Sequence, residues 1–473
     1  MSIRLHPLAF ALVLAGLSGQ AAAADLVQAY DLARNSDPQF AASEAQKNAQ
    51  AEGVVQSRSA LLPQVSADAT FSRSYSSSSG NQVFAGEPTD TNSTYSESSS
   101  RGSGLSVRQS VFDFSNYTRL GASKARARQA EADFDAAADS LIVRTADAYF
   151  AVLTAIETLA SSRAEERSVK RQLDQAEKRL EVGLAPITDV HEARARYDSS
   201  RANAILQATA LDDAYEALSE ITGERLTNLR GLAADFRPEN NDTRSIEEWV
   251  AMSRENNPTL RARAEALAAA EKDVSTARAG HFPTLAATAS YGDDARWGDS
   301  RRRSPLPESL TSFGNAGTGP TYSLTLSVPI FSGFATQSQV REALYRRDVA
   351  ADQLEQQERA VTRATRGAYR NLISGQAEVE ARRLAVVSAQ SAYEAGEAGL
   401  EVGTRTIVDV LIAQQQLYSA QQLYARARHA YLVNLLRLRQ SAGVLEAKDL
   451  VDVNRWLVAD ADASLQVDES AER

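Results

Sequence analysis

Two periodicities alternate along this chain. Val65, Ala67, Ala69 and Phe71 alternate with Ser66, Asp68, Thr70 and Ser72, and Leu105, Val107 and Val111 alternate with Ser106, Arg108 and Ser110, with Gln109 breaking the apolar row. The pattern returns in Leu285, Ala287, Ala289 and Tyr291, and again in Tyr322, Leu324, Leu326 and Val328. A period of two with one apolar face predicts strands over 64–75, 102–112, 284–291 and 320–331. Runs of about 10 residues with one greasy and one polar face are what a membrane β-barrel is built from. Between Phe112 and Gly183, and between Phe331 and Gly403, Ala, Gln, Glu, Arg and Leu dominate and there is no proline. Each run predicts a helix on the order of 100 Å long. A rod of that length must pack beside other rods.

Near the two glycines the apolar spacing tightens to alternating fours and threes. Val169, Leu173, Ala176 and Leu180 approach the first, and Ile187, Val190, Ala193 and Tyr197 leave it. Ala389, Tyr393, Gly396 and Leu400, then Ile407, Val410, Ala413 and Leu417, do the same around the second. Heptad spacing on both arms predicts antiparallel coiled-coil hairpins. The two halves are copies offset by 220 residues: Asn35-Ser36-Asp37-Pro38 answers Glu255-Asn256-Asn257-Pro258, and Glu181-Val182-Gly183 answers Glu401-Val402-Gly403. Any site should therefore have a degenerate twin.

Composition narrows the class. Arg4, the apolar run Leu8–Leu17 and Ala21-Ala22-Ala23-Ala24 read as a secretory signal over 1–24. That run is too short for a membrane helix, and no later stretch approaches the required ~20 apolar residues, so insertion is left to strands. There is no cysteine, which removes disulfides and thiolate chemistry. The net charge of −10 argues against a nucleic-acid partner. Ser76–Ser100, with nine serines in 25 residues, and Gly292–Pro320, with Arg301-Arg302-Arg303, read as long polar loops joining the strands. The arginines could meet lipopolysaccharide phosphates or simply solvent. His191, His281 and His429 have no ligand spacing and read as structural, and no phosphate loop or nucleophile motif occurs. The chain reads as a non-enzyme without cofactor or metal.

Four strands cannot close a barrel, and open strand edges are not tolerated in lipid. Two chains would give a barrel of eight strands filled by side chains; three would give twelve and a lumen. At this point the residues resemble the TolC group of outer-membrane channel-tunnels, used in type I secretion and multidrug efflux. The carriers are Arg171-Gln172-Leu173-Asp174-Gln175, Val182-Gly183-Leu184-Ala185-Pro186-Ile187-Thr188-Asp189-Val190 and Val402-Gly403-Thr404-Arg405-Thr406-Ile407-Val408-Asp409-Val410-Leu411. The resemblance implies an α+β membrane protein: a homotrimer with a shared twelve-stranded barrel above a helical coiled-coil barrel in the periplasm. It also implies a mixed layer from Gly223–Ile246 and from the tail after Leu445. The repeats would run 25–232 and 233–446, with an acidic tail over 447–473.

The same resemblance puts function at the hairpin tips, near 183–189 and 403–409. Thr188, Asp189, Arg405 and Asp409 match the family's periplasmic gate, with Arg405 reaching towards Thr188 and Asp189 and three copies of Asp409 ringing the constriction. The plainer reading is that Asp189 and Asp409 cap helices. Gly183 and Gly403 would receive a periplasmic adaptor, itself joined to an inner-membrane transporter of the ABC or RND type. Leu400 and Ile412 stand where the family type carries a tyrosine and a second aspartate. The expected function is a passive export duct from periplasm to exterior, for proteins, small toxic compounds or both. A non-conducting trimeric stalk or a periplasmic scaffold are the alternatives.

Overall fold

The computed structural model describes residues 24–84, 87–238, 242–303 and 309–460. The signal segment, apart from Ala24, and the end of the acidic tail lie outside the described residues. The chain divides into two units, Met1–Lys47 with Glu131–Ala262 and Glu355–Arg473, and Asn48–Ala130 with Arg263–Leu354. In order the elements are α1 (Leu26–Ser36), α2 (Pro38–Ser59), β1 (Gln64–Phe84), β2 (Glu87–Phe112), α3 (Phe114–Glu181) and α4 (Ile187–Thr222). β3 (Arg230–Leu232), α5 (Ile246–Asn256), α6 (Pro258–Ala279), β4 (Thr284–Arg303) and β5 (Ser309–Ser327) follow. The last are α7 (Ala335–Glu401), α8 (Ile407–Ser441), α9 (Ala447–Asn454) and β6 (Leu457–Asp460).

The duplicated motifs are the joints of the helical unit. Asp37 and Asn257 each accept the backbone N–H two residues on, from Gln39 and Thr259 at 3.0 Å. Each precedes a proline at the first helical position, where the missing N–H costs nothing. Gly223 (φ 77°) and Gly443 (φ 70°), both in the left-handed conformation, end α4 and α8. A Cβ on Gly223 would meet Ser36, and one on Gly443 would meet the Asn256–Asn257 backbone, at 2.8 Å and 2.5 Å. Twin motifs thus touch twin motifs. The main core gathers Leu26, Tyr149, Phe150, Leu153, Leu218, Trp249, Tyr431 and Leu436 from α1, α3, α4, α5 and α8, closed by the β3–β6 pair and α9. Tyr149 is fully buried, its hydroxyl donating to the carbonyls of Arg230 (2.9 Å) and Ala24 (3.1 Å).

The other unit holds one antiparallel sheet in the order β1-β2-β4-β5. The register puts the expected apolar row on one face: Val65 opposes Val107, Val107 opposes Ala289, and Ala289 opposes Tyr322. Serine, threonine and glycine dominate the other face, with Asp68, Arg108, Asp294 and Arg296 among them. The strands outrun the periodicity, and the segments read as loops are largely ribbon. β1 and β2 pair from Gln64–Arg108 out to Phe84–Glu87, and β4 and β5 from Thr284–Ser327 to Arg302–Ser309. The backbone ladder needs no apolar side chain, and serine hydroxyls tie it across strands: Ser72 to Ser100 at 2.7 Å, Ser74 to Ser98 at 2.8 Å. β5 in turn stops at Ser327, short of the expected 331.

Candidate functional site: the paired hairpin tips

Both hairpins turn by the same device. The N–H of Leu184 bonds the Arg179 carbonyl and that of Gly183 the Leu180 carbonyl; Thr404 to Gly399 and Gly403 to Leu400 repeat the pair. These are the two bonds of a Schellman ending, which requires the left-handed residue that Gly183 (φ 72°) and Gly403 (φ 76°) supply. Open space surrounds both glycines, so conformation, not crowding, selects them. Around them Val182, Leu184 and Val402 stand 68 %, 75 % and 74 % exposed, an apolar cap that no residue of this chain covers.

Below the turns the two hairpins share one small core: Val169, Leu173, Ala176, Val190 and Ala193 of the first with Ile407 and Leu411 of the second, and Leu400 packed against them. Ile187, expected inside by heptad spacing, is half exposed, whereas its twin Ile407 is buried. Ile412 is exposed too, and lines a cleft of about 360 Å³ between α4 and α8 with Arg196 and Gln415.

The twin aspartates differ. Asp409 closes a capping box: Thr406 N–H (3.0 Å) and Oγ1 (2.8 Å) donate to its carboxylate, and its own N–H donates to Thr406 Oγ1 at 3.2 Å. Those bonds, then the nearby Arg405 charge, hold its carboxyl below the usual range. In the first hairpin the cap position is Pro186, which has no side-chain cap bond, and Asp189 receives only Thr188 Oγ1 at 3.5 Å. Thr188 is exposed and Asp189 half-buried. The Arg405 stem lies over Gly399, where an added Cβ would meet its Cγ at 2.6 Å. Among the described residues Arg405 makes no hydrogen bond or ion pair to Thr188 or Asp189, so the expected tie is not formed within one chain.

Above the tips a polar seam joins α3 to α8. Gln414 donates to Ser168, Gln422 to Ser162 (3.3 Å), Arg428 to Glu157 (3.0 Å) and Arg437 to Asp147 (2.8 Å). His429, 2 % exposed, sits inside it. Thr154 Oγ1 donates to the Phe150 carbonyl at 2.7 Å, so at 2.8 Å it must accept from His429 Nδ1. Nε2 is then left facing Glu157 Oε1 at 3.5 Å, too far for a bond. Burial drives His429 down to about 3, helped by Arg428, and drives Glu157 up against the pull of Arg428. The partners that bury His429, some 270 residues away in sequence, were beyond any motif. His191 and His281 are exposed. Among the described residues no group of His, Cys, Asp and Glu could hold a metal, and no helix is long and apolar enough to cross a membrane.

Comparison with known proteins follows this geometry. The sequence profile described as "Outer membrane efflux protein" matches residues 29–224 and again 249–444, the same 220-residue offset. Outer membrane protein TolC of Escherichia coli is 36 % identical over 462 residues, covering 96 % of this chain and 89 % of that one. Proteases secretion protein PrtF of Dickeya chrysanthemi is 28 % identical, covering 94 % and 93 %. Among solved structures, the Campylobacter jejuni CmeC outer membrane channel superposes with a TM-score of 0.72 at 18 % identity, over 92 % of this chain and 90 % of that one.

Proposed function

The chain belongs to the outer membrane efflux protein family and is an outer-membrane export or efflux duct; on that premise we propose how its parts conduct. Three chains share a twelve-stranded barrel and a helical wall, each giving the sheet β1-β2-β4-β5. One observation carries this: the sheet has two open edges, a face with an apolar row and a polar face of serine, threonine, glycine and a few charged side chains. Open edges are forbidden in lipid, so neighbours must supply the missing strands. Small polar side chains suit a wet lumen. The helical unit has its own unpartnered flanks, Ile205 and Leu206 on α4 (61 % and 67 % exposed) and Leu384 and Val387 on α7 (51 % and 54 %), which neighbouring chains would cover. The absence of cysteine makes the test clean. Cysteines introduced along β1 and β5 should form disulfides between chains and lock a trimer on denaturing gels; dimers alone would sink the twelve-stranded reading.

The tips, at the periplasmic end, form the gate, with Thr188, Asp189, Arg405 and Asp409 as its polar groups. Arg405, which among the described residues ties to neither Thr188 nor Asp189 of its own chain, reaches the first hairpin of a neighbour. Three Asp409 carboxylates, each kept ionised by its cap, ring the constriction and draw cations to it. The turns at Gly183 and Gly403, with their apolar caps, receive a periplasmic adaptor that links the duct to an inner-membrane ABC or RND transporter. Leu400 and Ile412 leave this gate with fewer polar latches and a single acidic ring. Around the gate the repeats 25–232 and 233–446 act as non-equivalent twins, and the described part of the acidic tail 447–473, through α9 and β6, closes the mixed layer. In single-channel recordings a trivalent cation should block the wild type strongly and Asp409→Asn weakly; equal block would remove the ring.

A further inference from the structure

We propose that the seam between neighbouring chains copies the seam inside each chain with the two halves exchanged, and that Arg341 pairs there with Glu52 of the next chain. The inference rests on the reading of the sheet as closed by neighbouring chains, and it adds a strand register and a set of helix contacts. Inside the chain β2 pairs with β4, and side chains of α3, which leaves β2, reach α6, which enters β4. Phe114 and Phe282 meet with ring centroids 5.5 Å apart, and a Cβ on Gly121 would meet the Lys272 stem at 3.5 Å. Arg126 pairs with Asp273, and Arg128 with Glu265. Further along these helices Ala125 and Ala269 are buried.

The twins of these positions are open. α2, the twin of α6, enters the edge strand β1, and α7, the twin of α3, leaves the edge strand β5. No residue of α2 is buried, whereas Ala269 and Val274 of α6 are. At the 220-residue offset Phe114, Gly121 and Ala125 become Phe334, Arg341 and Tyr345, and Phe282, Lys272 and Ala269 become Leu62, Glu52 and Ala49. All of these twins are exposed, Phe334 and Tyr345 at 69 % each. Carried over, the inner contacts set Phe334 on the next chain's Leu62, Tyr345 over its Ala49 and Arg341 against its Glu52. Charge supports the match. The acids of the inner ion pairs become Gly53 and Ala45, and Arg346 and Asp348 pair instead with Glu342 and Arg347 of their own helix. Among the described residues Arg341 and Glu52 make no ion pair, so an unmatched cation and an unmatched anion arrive at one place.

The strands obey the same rule. Leu105 and Val107 of β2 correspond to Leu324 and Leu326 of β5, here at an offset of 219, and Tyr291 and Ala289 of β4 to Phe71 and Ala69 of β1. Leu105 opposes Tyr291 and Val107 opposes Ala289. Leu324 then opposes the next chain's Phe71, and Leu326 its Ala69. That register keeps the apolar row on one face across the seam, which a slip of one residue would turn over. Repeated head to tail, one such contact closes a ring.

The test uses the full-length protein in detergent. Val107→Cys/Ala289→Cys, opposed within one chain, calibrates the disulfide yield. Ala69→Cys/Leu326→Cys should link chains with a comparable yield. It should exceed Ala67→Cys/Leu326→Cys and Phe71→Cys/Leu326→Cys at least about fivefold, because opposed residues stand about 4.5–5.5 Å apart and diagonal ones about 7–8 Å. Arg341→Glu and Glu52→Arg each bring like charges together and should lower the melting temperature of the trimer; combined, they should recover most of the loss. Arg346→Glu combined with Glu52→Arg should recover nothing. A higher yield in either shifted pair, no recovery in the double reversal, or equal recovery with Arg346→Glu would each overturn the proposal. Trimers locked through a shifted pair leave the twelve-stranded barrel standing and remove only the copied seam. A calibrator that closes while no pair links chains removes both.

Discussion

Thr406 and Pro186 occupy equivalent positions in the two halves, and the exchange of one for the other sets the tips apart. Thr406→Ala removes the two hydroxyl bonds of the cap and leaves the one from its backbone N–H, and should cost the second hairpin about 1 kcal/mol. Because the cap depresses the Asp409 pKa, the charge and its stabilising contacts persist above the ordinary carboxylate value and are lost only as pH falls through the depressed one. Without the cap, loss of cation block should therefore begin at higher pH. Gly183→Val and Gly403→Val force a β-branched residue into the left-handed region, at a cost on the order of 1–2 kcal/mol; export should fail while the trimer stays intact on gels. Asp139 shows the opposite linkage. Burial, with Asp135 adding, raises it from 3.8 to about 7. The folded state thus resists ionisation, and a cost sets in as pH rises past 3.8 and is complete above about 7. Asp139→Asn should stabilise the fold at pH 8 by about 1–2 kcal/mol once partial exposure is allowed for, seen as a higher melting temperature, and should not do so at pH 4. The glycines and the Thr406–Asp409 spacing were readable in the sequence, since turn and cap chemistry is local. Which aspartate was capped depended on a single proline.

The long helices were readable as elements because proline-free runs of helix formers leave no other choice; their partners were not. The α3–α8 seam joins residues that no local pattern connects. Removing one side of its buried ion pair, as in Glu157→Gln, strands Arg428 and should cost about 3–5 kcal/mol in thermal unfolding. Glu157→Gln/Arg428→Met should recover much of that loss, because no charge is then left unpaired. Tyr149→Phe removes the hydroxyl shared by the Arg230 and Ala24 carbonyls, of which Ala24 keeps the Arg230 N–H, and should cost about 1–3 kcal/mol. Tyr369, its twin, is only half-buried, so Tyr369→Phe should cost less. The strands err in the other direction. Alternation marks the length of strand that one apolar face requires, whereas pairing continues wherever backbone and serine hydroxyls can bond. Heptad spacing likewise placed both Ile187 and Ile407 inside, and only Ile407 is buried.

At the scale of the molecule, duplication supplies two hairpins, two turns and four strands from one plan, and an internal offset is easily seen in a sequence. The number of chains was not written there in any direct way; in the proposed trimer it is set by closing a sheet that one chain leaves open. β1 and β5 remain edge strands for as long as a chain is alone. Stability is then a matter of mass action as much as of contacts. Dilution of the detergent-solubilised protein should lower its melting temperature, while a protein complete as a monomer would melt at the same temperature throughout. A newly exported chain would also have to meet two others before lipid can accept it. Its arrival rate, and not its folding rate, would then limit how fast ducts appear, and cells making few copies would build disproportionately few.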